Sequence, residues 1–127
     1  MSGGRGSALV VGVVVVTVAL AVVFQCEVAE AATYTVGDAG GWSFNVATWP
    51  KGKRFRAGDT LVFNYNSGIH NVVAVNKAGY QGCTTPSGAK VYQTGNDQIK
   101  LRKGPNFFIC TIPGHCQAGM KIAVTAV

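Results

Sequence analysis

Asn106-Phe107-Phe108-Ile109-Cys110-Thr111-Ile112-Pro113-Gly114-His115-Cys116-Gln117-Ala118-Gly119-Met120 is the stretch on which the reading of this chain turns. Cys110, His115 and Met120 follow one another at intervals of five residues. Pro113 and Gly114 lie between them and bend the chain, so that side chains this far apart can converge. Upstream, His70 supplies a second imidazole. Two imidazole nitrogens, one thiolate and a distant thioether form the donor set of an electron-transfer copper site, with the thiolate and imidazoles in one plane and the thioether weakly axial. Each residue alone says little, because a lone His or Met more often packs than ligates. The combined Cys-x4-His-x4-Met spacing, with a His upstream, carries the assignment.

Other chemistries fit these residues less well. Zinc takes Cys and His readily, but structural zinc sites favour paired Cys-x2–4-Cys knuckles and rarely use a thioether. A cysteine hydrolase needs a thiol beside a His in an open pocket. No partner acid is evident for it, and Met120 would have no role. A copper centre that only passes electrons has to change oxidation state with little movement. A soft thiolate favours Cu(I), imidazoles suit both states, and a rigid loop keeps either state from imposing its own geometry.

The flanks read as short strands. Asn106 to Thr111 is rich in aromatic and β-branched residues, and Lys121 to Val127 alternates with Ile122 and Val124 inward. Thr60 to Tyr65 alternates too, placing Leu61, Phe63 and Tyr65 on one face. Asn66-Ser67-Gly68 is turn chemistry, so His70 falls at the junction with the next strand, Asn71 to Val75. Thr33 to Val36, Val91 to Thr94 and Ile99 to Leu101 are further strands, the last two separated by Gly95-Asn96-Asp97. Gly37, Gly40 and Gly41 make a turn before Trp42. Phe44 to Pro50 is irregular, and Asn76 to Cys83 forms one short helical turn. Lys103-Gly104-Pro105 turns the chain into the ligand stretch. Strands at this spacing, with 17 Gly and only 13% charged residues, predict an all-β sandwich or barrel.

The N-terminus is different. Ser2 to Ser7 is polar with one positive charge, Ala8 to Phe24 is almost wholly apolar, and Ala29-Glu30-Ala31 presents small residues where a signal peptidase reads. We expect a secretory signal over 1–31, cleaved after Ala31, and one domain over 32–127. The competing reading is an uncleaved anchor, since 17 residues approach the ~18–20 needed to span a bilayer; the small-x-small site argues for cleavage. Losing Arg5, Glu27 and Glu30 takes the net charge from +6 to +7. Cys26 also goes, leaving three cysteines in an oxidising compartment. An odd cysteine there needs a use beyond pairing, and a metal is one.

Three cysteines allow three pairings. Cys116 neighbours His115, and neighbours in an extended segment point opposite ways, so a metal-facing His115 would turn Cys116 away. The hypothesis is a Cys83–Cys116 disulfide with Cys110 a free thiolate. Its loop of 32 intervening residues would contribute about 3–4 kcal/mol through chain entropy.

The residues from Ala32 to Val127 resemble the phytocyanins, within the cupredoxins, and their plantacyanin (basic blue) branch in particular. The resemblance is carried by Val36-Gly37 with Gly40-Gly41-Trp42, Trp49-Pro50-Lys51-Gly52-Lys53, Phe55-Arg56-Ala57-Gly58-Asp59 and His70-Asn71-Val72-Val73. Phe108-Ile109-Cys110, Pro113-Gly114-His115-Cys116 and Gly119-Met120-Lys121-Ile122 complete it. It implies a cupredoxin-like Greek-key β-sandwich with one or two short helical turns. It implies one type 1 copper at His70, Cys110, His115 and Met120, and the Cys83–Cys116 bridge. Met120 sets the chain apart from stellacyanins, which carry Gln there. By the same analogy Asn71 hydrogen-bonds to the backbone near Cys110, and His115 is the ligand nearest solvent.

The expectation is a freely secreted, extracellular (apoplastic or cell-wall) electron carrier, a monomer, not an enzyme, with no membrane attachment after cleavage. A matrix or signalling protein with structural or sensory copper is the alternative that the resemblance keeps open. Copper storage or delivery fits less well, because a buried rigid site exchanges metal poorly. Net charge +7 on a small domain favours acidic proteins or anionic wall polymers as partners; nucleic acid is not expected. Lys51, Lys53, Arg54 and Arg56 form a run that reads equally as a docking patch or a solvated, charge-protected edge. With no Asn-x-Ser/Thr sequon, N-glycosylation is not expected.

Overall fold

Alternation of apolar and polar residues, period two, makes strands whose one face must be covered, and here two sheets cover each other. The computed structural model describes residues 30–127; the expected leader lies outside them except for Glu30 and Ala31. The strands are β1 (Thr33–Thr35), β2 (Thr60–Asn64), β3 (Val72–Val75), β4 (Val91–Tyr92), β5 (Asn96–Lys100), β6 (Gly104–Ile109) and β7 (Lys121–Ala126). One sheet runs β1-β2-β5, with β1 parallel to β2; the other runs β4-β3-β6-β7, all antiparallel. The chain changes sheet between β2 and β3, β4 and β5, and β5 and β6, the crossing pattern of a Greek-key sandwich.

Between the sheets lie Trp42, Leu61, Phe63, Val72, Phe108, Met120, Ile122 and Val124. Trp42 and Phe108 each meet Phe63, at 5.1 and 5.2 Å between ring centroids. The four-stranded sheet is buried on its outer face as well, where Val73, Ile109 and Cys116 pack under Tyr80, Cys83 and Ala89. Tyr80 belongs to helix α1 (Lys77–Gly82), and Cys83 follows at its end. Asn76 caps it by accepting from the Gly79 N–H at 2.8 Å. Gly79 has no substitute: a Cβ there would lie 2.5 Å from the Thr84 carbonyl oxygen.

Four segments differ from the sequence expectation. Asn96 and Asp97, expected as a turn, belong to β5, because the Asp97 carboxylate is buried and accepts from the Thr94 hydroxyl at 2.7 Å and from the Tyr65 hydroxyl. Gly104 and Pro105 belong to β6; β3 pairs only from Phe107 onward, so the proline lacks a ladder partner on that side and its missing N–H is tolerated. Two additional turns of 3₁₀ helix occupy Asp38–Gly40 and Val46–Thr48, where turn and irregular chain were expected. In the basic run the four cations are exposed, while Phe55 is buried and bridges in parallel to Ala126.

Candidate metal centre

Strand register delivers three of the four expected ligands to one end of the sandwich. β3 and β6 pair Val73 with Ile109, so His70, just before β3, arrives beside Cys110, just after β6. β6 and β7 pair Ile109 with Lys121, which sets Met120 against Cys110; the Cys110 N–H donates to the Met120 carbonyl at 3.0 Å. His115 comes from the intervening loop, where its N–H donates to Ile112 and its carbonyl accepts from Met120. Gly119 shapes the loop's end. Its φ is +86° and a Cβ would press within 3.2 Å of the Asn45 backbone, and the Asn45 and Val46 N–H groups donate to the Ala118 and Gly119 carbonyls.

The donor atoms converge. The Nδ1 atoms of His70 and His115 are 3.0 Å apart, and Cys110 Sγ is 3.6 Å from His115 Nδ1. One donor atom from each of the three residues lies within 4.8 Å of the others. Cys110 is a free thiol, and both it and Met120 are fully buried; His70 is buried and His115 only half-buried. Burial first, and then the neighbouring His115, push the His70 pKa below the ordinary imidazole value. That favours the neutral ring, the form that ligates a metal.

Supports surround the donors. Asn71, buried, spans to the residue after Cys110: Thr111 N–H donates to Asn71 Oδ1 at 2.8 Å, and Asn71 Nδ2 donates to Thr111 Oγ1 at 2.8 Å. The Asn71 carbonyl accepts from Trp42 Nε1 at 2.8 Å. Cys83 and Cys116 form the disulfide, Cα to Cα 5.7 Å, which ties the ligand loop to the end of α1. The pairing matches expectation but its stated reason does not. His115 and Cys116 sit in consecutive turns, not an extended segment, and turn geometry separates their side chains.

Phe44 went unnoticed in the sequence. Its ring stands edge-on to both imidazoles, at 5.6 Å from His70 and 4.8 Å from His115. Phe44 and Ile69, 45% and 53% exposed, flank this end of the molecule. No local pattern marks Phe44, because the contact spans 26 residues to His70 and depends on the 3₁₀ turn that follows it.

The donor chemistry fits copper. One free, buried, soft sulfur stands with two like imidazole nitrogens, and a thioether lies just before β7, whereas no Cys-x2–4-Cys knuckle is present among the described residues. A Plastocyanin-like domain of the copper-binding type matches residues 40–120. Chemocyanin of Lilium longiflorum is 57% identical over 125 residues, 98% of this chain and 96% of that protein. Basic blue protein of Cucumis sativus is 66% identical over 95 residues, 75% of this chain and 99% of its own. The solved structure of cucumber basic protein, a blue copper protein, superposes with a TM-score of 0.74 at 65% identity, covering 75% of this chain and 99% of that one. The chain belongs to the phytocyanins, the plastocyanin-like blue copper proteins, on their plantacyanin or basic blue branch. Its fold is the cupredoxin sandwich, and its site is that of one type 1 copper.

Proposed function

We propose that this type 1 copper protein is exported, loses its leader after Ala31, and carries single electrons between extracellular partners without catalysing a reaction. The observation that carries the reading is the convergence of one free buried thiol and two imidazoles within 4.8 Å. His70 Nδ1, His115 Nδ1, Cys110 Sγ and the Met120 thioether would hold the metal. When bound, copper supplies the one-electron Cu(II)/Cu(I) couple.

The protein's part is to keep the donors still. Asn71 fixes the chain after Cys110, the disulfide fixes the chain after His115, and β7 fixes Met120. A frame that cannot relax toward either oxidation state lowers the reorganisation that each transfer requires. Four donors on mutually pinned segments suit a closed site rather than one open to substrate, which supports carriage over catalysis. His115, the least buried donor, lies under Phe44 at the exposed end and is the natural point of entry for the electron.

The surface favours acidic partners. Residues 32–127 hold ten Lys and Arg against Asp38, Asp59 and Asp97. Asp59 and Asp97 are buried on internal hydrogen bonds, so Asp38 is the one acidic side chain that a partner meets. Lys51, Lys53, Arg54 and Arg56 concentrate the positive field, which steers an acidic protein or an anionic wall polymer toward the molecule. Among the described residues no helix is long and apolar enough to cross a membrane.

The test is a visible spectrum and EPR of the secreted protein with Cu(II), beside Cys110→Ser. An intense blue colour with narrow copper hyperfine splitting, both lost in the variant, is expected of a thiolate-bound site. Rapid, reversible one-electron reduction then supports carriage; a blue site that exchanges electrons sluggishly with every small-molecule couple supports the structural or sensory alternative. A colourless protein overturns both.

A further inference from the structure

Asp59 is a buried anion whose partners are unusual. It is 2% exposed, yet both of its carboxylate oxygens are met by backbone N–H groups, Arg56 N to Oδ2 and Ala32 N to Oδ1, each at 2.8 Å. The carboxylate cannot move away. Its own N–H donates to Arg56, its carbonyl accepts from Leu101 at 2.8 Å, and β2 begins at the next residue. Ala32 is equally fixed: its carbonyl accepts from Thr60 N–H at 2.9 Å, and Thr33 pairs with Thr60 in the β1–β2 ladder. Two amide dipoles stabilise a carboxylate but do not neutralise it, and an uncompensated buried charge is costly.

Ala32 is the residue that cleavage after Ala31 would leave at the N-terminus. Glu30, Ala31 and Ala32 are exposed. Hydrolysis turns the Ala32 amide nitrogen into an α-ammonium: water adds across the Ala31–Ala32 bond, the carboxylate leaves with the leader, and the amine takes up a proton. From the structure we infer that processing builds an ion pair between the new Ala32 ammonium and Asp59, so that maturation itself supplies the buried anion with its countercharge. The position needs no rearrangement, since the nitrogen already lies 2.8 Å from Oδ1. The pair staples β1 to the β2 entrance, at a sheet edge that would otherwise fray as chain ends do. Any N-terminal residue supplies the ammonium; what matters is that cleavage falls at this one bond.

This inference rests on the leader being removed, and the experiment separates the two. The full chain is expressed in a secreting host, the product purified with copper bound, and its intact mass measured. Part is then acetylated, and the fraction carrying a single acetyl group on its N-terminal peptide is isolated and identified by peptide mass. Acetylation restores an amide N–H at Ala32 and removes only the charge. The expected result is a start at Ala32 and a melting temperature on the order of 4–8 °C lower after acetylation. In Asp59→Asn, acetylation should leave the melting temperature unmoved. A chain that begins elsewhere overturns the cleavage reading and the ion pair with it. A chain that begins at Ala32 but melts identically with and without the acetyl group overturns the ion pair alone. If Asp59→Asn does not fold, the wild-type comparison still decides.

Discussion

Replacing Asn71 by Ala removes two 2.8 Å hydrogen bonds that hold the chain immediately after Cys110. The Asn71 carbonyl, which Trp42 uses, is untouched, so the perturbation is confined to the Thr111 contact. The lost acceptor leaves the Thr111 N–H unsatisfied, at about 1–3 kcal/mol for a buried donor, and the hydroxyl bond adds roughly 0.5–1.5 kcal/mol. Thr111 is exposed and water can reach it, so the sum should fall near 2 kcal/mol. For a domain of this size that is about 8–16 °C in melting temperature. The metal should feel it too, because groups that orient ligands typically matter by ~10–100-fold in metal affinity. Calorimetry of the copper-free and copper-loaded protein, with chelator competition for affinity, measures both. Thr111→Val is the control: it loses the hydroxyl but keeps the backbone bond, and should cost less in each assay. An Asn71→Ala protein that melts within 2 °C of wild type and holds copper as tightly would refute the argument that this bridge stiffens the site.

Other outcomes follow from the same geometry. Replacing both Cys83 and Cys116 by Ala should cost about 3–4 kcal/mol, seen as a lower denaturant midpoint, and should speed copper loss because the loop carrying His115 is released. Tyr65 is held to a pKa of about 12, up from 10.0, by burial and then by its hydrogen bond to Asp97. A group whose folded pKa is raised adds stability that is complete below pH 10 and fades as pH climbs toward 12, so wild type should lose stability across that window more steeply than Tyr65→Phe. Neutralising Lys51, Lys53, Arg54 and Arg56 together should weaken binding to an anionic polymer at low salt and flatten its salt dependence; unchanged binding would remove the docking role of this run.

How much of this could be read from the residues alone differs from one element to the next. Leu61-Phe63 and Ile122-Val124 alternate so regularly that their strands and inward faces follow from period two. The α1 turn is legible because Asn76 is a good cap and the segment is short. Asn96, Asp97, Gly104 and Pro105 misled, since turn-forming residues enter strands when their carboxylates or missing N–H groups are satisfied by neighbours that only the fold supplies.

The copper centre shows the same division. Cys110, His115 and Met120 are close in sequence and carry donor types that few chemistries share, so donor identity alone determines the class of site. The free thiol followed from an odd cysteine count, and the basic character from composition. What only the tertiary structure decided is relational. The β3–β6–β7 register puts His70 and Met120 at Cys110, a distant Phe44 stands over both imidazoles, and Asn71 takes the place of the next ladder bond. The Ala32 amide on Asp59, 27 residues away, belongs to this group as well. Sequence specifies which groups are present and their local periodicity; contacts across tens of residues are chosen by the packing of two sheets, a cooperative property that no local stretch contains.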